Sequence, residues 1–181
     1  MVRLLKSGSG VLREASTFLV FLVGYVAFFI GVPPTSLCVL GACISPRPEA
    51  FLLAASLPFG MAAILGVSSG VFSAALLYEW INPMGTTIVD AAMAFLVFLA
   101  SCAAARRLYR ARPSLETALL ATWVITIPVT LLLGTYAYGL KGSGLPDAYL
   151  SILAEAIIPI NIAGAFFLSL SRFRRQAEET G

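Results

Sequence analysis

Histidine is absent from the 181-residue chain, which removes the commonest general base and the commonest metal ligand together. Histidine-dependent hydrolases and metalloenzymes are thereby excluded. Charge is scarce too: 12% of residues are Asp, Glu, Lys or Arg against 59% hydrophobic, and the mean hydropathy is +0.92. Soluble domains carry about 25% charged residues and a smaller apolar share, so water is not the main solvent of this chain. Cysteine is sparse and odd in number, as Cys38, Cys43 and Cys102, with no metal-type spacing. All three read as small buried fillers, and a pairing of Cys38 with Cys43 outside the cell stays open. Leu40-Gly41-Ala42-Cys43 is similar to a lipoprotein cleavage box, but it lies far from the N-terminus behind an apolar segment long enough to span, so lipidation is not expected. No soluble block separates the apolar segments. The length therefore predicts one membrane domain over residues 1–181, with energy for any transport taken from a gradient or from partner chains.

What is present is a series of apolar runs. The first, about 16–32, nearly covers a hydrocarbon core of about 30 Å at about 1.5 Å per residue. Pro33-Pro34 ends it, and the stretch to Pro48 reads as a substantial non-helical loop. From Glu49 to Tyr78 the chain is almost continuously apolar, roughly 45 Å as one helix, too long for an ordinary span. Pro58-Phe59-Gly60 divides it, predicting helices at about 49–58 and 60–78. Glu79 to Gly85 is rich in turn residues and sets Trp80 at an interface. Further helices are expected at about 87–105, 114–138 and 146–170, with a turn at Lys141-Gly142-Ser143-Gly144.

Ten of the twelve basic residues fall in three clusters: Arg3, Lys6 and Arg13; Arg106, Arg107, Arg110 and Arg112; and Arg172, Arg174 and Arg175. Lys and Arg concentrate in cytoplasmic loops, so an even number of crossings must separate neighbouring clusters. The expected architecture is all-α, with six transmembrane helices and both termini inside. The net charge of +3 is explained by this placement and calls for no nucleic-acid partner.

Ionisable residues at membrane depth are functional candidates by default. Glu49 and Asp90 begin helices, where a carboxylate is stabilised by the free N–H groups and the dipole, so capping and ligand binding are equally open for each. Glu79, beside Trp80, reads as solvated. Glu155, between Ala154 and Ala156, is assigned a ligand or polar-network role. Asn161 lies nearly on the opposite face from Glu155 and reads as helix-to-helix glue. Arg47-Pro48-Glu49 places a cation and an anion next to a long loop, either as a simple ion pair or as part of a cover over an external cavity. Gly66, Ser68, Ser69, Gly70, Ser73, Ala74 and Ala75, with Gly24, Ala27 and Gly31 in the first helix, allow close backbone approach, and most are expected to serve packing within the chain.

The order of these motifs resembles the QueT family. The resemblance rests on Pro46-Arg47-Pro48-Glu49-Ala50, the Leu57-Pro58-Phe59 break, the glycine-rich third helix, Asn82-Pro83-Met84-Gly85 followed by Asp90, and Ala154-Glu155-Ala156. It covers roughly residues 16 to 172. The family comprises substrate-binding (S) components of energy-coupling factor transporters, so the resemblance implies a non-enzymatic uptake subunit in the plasma membrane without a cofactor. It implies as partners a transmembrane T component and two ATPase subunits, and as ligand a queuosine precursor of the 7-deazaguanine class. Arg47, Glu49, Asp90 and Glu155 are then expected to contact the ligand. Ala27 and Gly31 are expected at the T-component interface, though they could equally face helix 6. Trp123 and Thr126 stand in helix 5 where the family pattern has an Asn. Alternative readings are an S component for riboflavin, thiamine or a similar vitamin, a small membrane enzyme using Asp90 and Glu155 as an acid–base pair, and a purely structural assembly subunit.

Overall fold

The computed structural model describes residues 2–32, 37–39, 42–44, 47–81, 87–111, 114–141, 149–150, 152–153 and 156–171. The described chain is helical apart from one small hairpin. Helix α1 runs over Val2–Gly31, beginning well before the apolar run and passing through Ser7-Gly8-Ser9-Gly10, where glycine weakens the helix but no proline stops it. Strands β1 (Leu37–Val39) and β2 (Ala42–Ile44) pair antiparallel inside the stretch expected as loop. A 3₁₀ turn, Pro48–Ala50, leads into α2, Phe51–Ala55. Helices α3 (Met61–Ile81), α4 (Ile88–Ala111) and α5 (Leu115–Lys141) follow. The last helix, α6, is π-helical over Ile157–Gly164 and α-helical to residue 171.

Among the described residues three helical stretches, Gly10–Gly31, Ile88–Ala111 and Leu115–Tyr136, are long and apolar enough to cross a membrane. The segment expected at 49–58 is shorter than a span. Its 3₁₀ and α turns together cover about 13 Å, against about 30 Å for a hydrocarbon core. Pro58 stops it, and Gly60, at φ +112°, reverses the backbone in a region that L side chains avoid.

Contacts fix the helix directions. Gly66 of α3 meets Phe18 and Phe21 of α1, and Gly70 meets Tyr25, so position rises along both helices together and α1 and α3 run parallel. The short α2 therefore carries the chain back between them. Asp90 at the start of α4 meets Tyr136 near the end of α5, an antiparallel pair. Gly164 lies against Thr122 and Asn161 against Thr126, so α6 runs antiparallel to α5 and parallel to α4. At the other end of α4, the Tyr109 hydroxyl donates to the Leu168 carbonyl at 3.1 Å.

The shortest helix lies deepest. Leu53, Ala54 and Leu57 have no exposed surface, and they join Ile64, Val67, Ile125 and Leu168 in one core. A Cβ on Gly164 would lie 2.5 Å from the Ala54 Cβ, so α6 approaches α2 as closely as a glycine permits.

Candidate ligand-binding cavity

One turn apart on α1, Tyr25 and Phe29 face the same way as Val71, Ala74 and Ala75 of α3, because residues three and four apart share a helix face. The alanines leave room that larger side chains would fill. Together with Phe98, Val129 and Leu133 they line a partly open cavity of about 350 Å³, to which α6 contributes Ala156 and Ile160. That volume lies near the lower end of ordinary ligand sites, about 300–1,000 Å³.

Arg47 and Ala50 complete the wall just before α2. The Arg47 guanidinium lies 5.8 Å over the Phe29 ring, within cation–π range. Its Nη1 is 3.6 Å from Glu49 Oε1; the Arg47 side chain is 46% exposed, the Glu49 side chain only 4%. An isolated buried carboxylate is costly, and this cation is its compensation. Tyr25 is within electrostatic reach of both charges. The sequence reading left Arg47 and Glu49 open between an ion pair and a cavity cover; the structure forms the pair and sets Arg47 in the cavity wall.

Asp90 belongs elsewhere. The Thr87 N–H donates to its carboxylate, its own N–H donates to Thr87 Oγ1 at 3.3 Å, and the Tyr136 hydroxyl donates to it as well. Thr87 and Asp90 thus form a reciprocal cap on α4, tied to α5 by Tyr136. Asp90 is not in the cavity wall, and of its two readings capping is the one the geometry displays. Glu155 lies outside the described residues, as do Ala154 and the Asn82–Gly85 motif.

The α5–α6 side of the cavity departs from regular helix. Pro128 inside α5 and Pro159 inside α6 each lack the N–H that a helix interior uses, and α6 widens into π geometry around its proline. Between the two helices, Thr126 Oγ1 donates to Asn161 Oδ1 at 2.6 Å, so Asn161 is the interhelical link read from the sequence. Asn161 Nδ2 and Thr130 Oγ1 are buried and have no hydrogen-bond partner among the described residues, although such groups are normally satisfied. Each follows a wall residue in the chain, Ile160 or Val129.

Ala27 and Gly31 are exposed, and a Cβ on Gly31 would meet nothing within 4 Å. They therefore do not face α6. Among the described residues no group of three or more Cys, Asp or Glu side chains could hold a metal ion. Tyr25, Phe29, Ala74 and Ala75 were not singled out as site residues by sequence reasoning. The available signal was a tyrosine and a phenylalanine at i and i+4 in an apolar helix that holds three further phenylalanines, which reads equally as packing. No family model, curated protein or solved structure matches the chain.

Proposed function

We propose that this chain is the substrate-binding subunit of an energy-coupling factor importer, a multi-pass protein of the plasma membrane with both termini inside. One observation carries the reading: Arg47, paired with the buried Glu49, stands in the wall of a largely apolar cavity of about 350 Å³ within a bundle of apolar helices. A subunit that captures a small molecule and leaves energy conversion to partners needs a pocket and no catalytic group. The alternating helix directions suit six membrane segments, with α2 as a short central one. The exposed Ala27 and Gly31 suit contact with a T component, which would link the chain to two ATPase subunits.

A 7-deazaguanine is the first ligand to test. Tyr25, Phe29 and Phe98 offer aromatic faces to a flat ring, whereas Glu49, buried and paired with Arg47, is not itself a wall residue. A second reading, an S component for riboflavin, thiamine or another vitamin, is favoured by the wall itself, where Arg47 is the charged residue and its neighbours are apolar.

The test is thermal stabilisation of the detergent-purified protein against deazaguanines, guanine, riboflavin, thiamine and biotin. A ligand at about 100 times its Kd stabilises the folded state by roughly 2.7 kcal/mol. Stabilisation is expected with one ligand class, and Ala75→Phe, which fills the cavity, should abolish it while the unliganded protein still melts cooperatively. A different vitamin acting alone would replace the ligand and keep the subunit assignment. No stabilisation by any of them would overturn the reading, and turnover by the isolated protein would replace it with the enzyme that uses Asp90 and Glu155.

A further inference from the structure

Two of the three cysteines lie in the hairpin between α1 and the Arg47–Glu49 pair. The register sets Leu37 opposite Ile44, Cys38 opposite Cys43 and Val39 opposite Ala42. Directly opposed residues of an antiparallel pair hold their α-carbons about 4.5 or 5.5 Å apart, depending on whether they exchange hydrogen bonds. Disulfides join α-carbons about 4.4–6.8 Å apart, so either spacing admits one. A one-residue slip would instead set Cys38 opposite Ala42 or Ile44 and lose the match. The third cysteine does not compete: Cys102 is free, 1% exposed, and inside α4.

The geometry points to a cross-strand disulfide between Cys38 and Cys43. An isolated two-stranded hairpin is marginal in water, and these strands have only three residues each, so a covalent staple would stabilise the pair. The hairpin follows the end of α1 opposite to Arg3, Lys6 and Arg13. Basic clusters stay in the cytoplasm, which sets the hairpin in the oxidising exterior where disulfides persist. The inference uses this orientation but not the transport function. Formation is thiol–disulfide exchange with an external disulfide oxidant: one cysteine thiolate attacks it, and the second displaces the resulting mixed disulfide. The two cysteine thiols lose two protons and two electrons, and the oxidant leaves as two thiols. Cys43 lies four residues before Arg47, so the staple also limits the freedom of the chain entering the cavity wall.

The full-length protein in freshly prepared membranes, denatured in SDS with excess maleimide and no reductant, decides the matter by intact mass. One adduct, on Cys102, is expected without reductant and three after reduction. Cys38→Ser and Cys43→Ser should each give two adducts without reductant, because each frees the other cysteine. Three adducts on the unreduced wild-type chain would overturn the inference. So would a disulfide-linked dimer, or a bridge that survives in Cys38→Ser through Cys102.

Discussion

The two sides of the bundle are built on opposite plans. On the α1–α3 side the backbones touch: a Cβ on Gly66 would sit 2.3 Å from the Phe18 carbonyl oxygen, and one on Gly70 would sit 2.7 Å from the Tyr25 Cβ. On the α5–α6 side the helices carry internal prolines, a π-helical stretch, one buried hydroxyl and one buried amide without partners among the described residues, and one wall of the cavity. Small residues give the first side dense van der Waals contact, which is what holds helices together where lipid removes the hydrophobic drive. The second side gives up part of that contact and part of its hydrogen bonding. A pocket can exist only where packing is incomplete, and it opens between the two sides, where Tyr25, Phe29, Val71, Ala74 and Ala75 of α1 and α3 face the α5–α6 wall beyond the close contacts at Gly66 and Gly70.

The sharpest way to break that contrast is Gly66→Ala. The new methyl must displace backbone, so stability in detergent melts should fall by about 1–3 kcal/mol. Gly24→Ala, where a Cβ meets nothing within 4 Å, should instead be neutral or stabilising by up to about 1 kcal/mol, because alanine favours the helix. Equal losses in both would show that α1 and α3 do not meet through Gly66. Next in size is Thr126→Val, which removes the hydroxyl bonded to Asn161 at almost constant shape. A loss of about 1 kcal/mol is expected in the same melts, and an unchanged midpoint would mean that Asn161 draws nothing from this link. Smallest is Tyr136→Phe. It leaves the Thr87–Asp90 cap in place and cuts only the tie to α5, so a loss of about 0.5–1 kcal/mol is expected, without effect on ligand stabilisation because Asp90 does not line the cavity.

Much of this frame was legible in the chain. The break at Pro58-Phe59-Gly60 was visible because proline ends a helix and glycine admits a positive φ, and the Gly66–Gly70 spacing marked a face capable of close approach. Other features were not legible. Pairing of Leu37–Val39 with Ala42–Ile44 looked like loop because three-residue strands leave too short a period to read. Asp90 carried the same local signals for a cap and for a ligand, and only the arrival of Tyr136 from a distant helix shows which use the fold makes of it.

By itself the sequence determined the solvent, the apolar segments, their punctuation and the placement of charge, since each depends on residue type and on neighbours a few positions away. Tertiary structure alone decided that α2 is a short central element, that Arg47 and Glu49 meet beside Phe29 and Tyr25, and that two alanines of α3 leave a space open to them. Those outcomes depend on which helix faces approach one another. Approach is set by the summed packing of the whole bundle, in which a glycine on one helix is defined only by the atoms that a different helix brings to it.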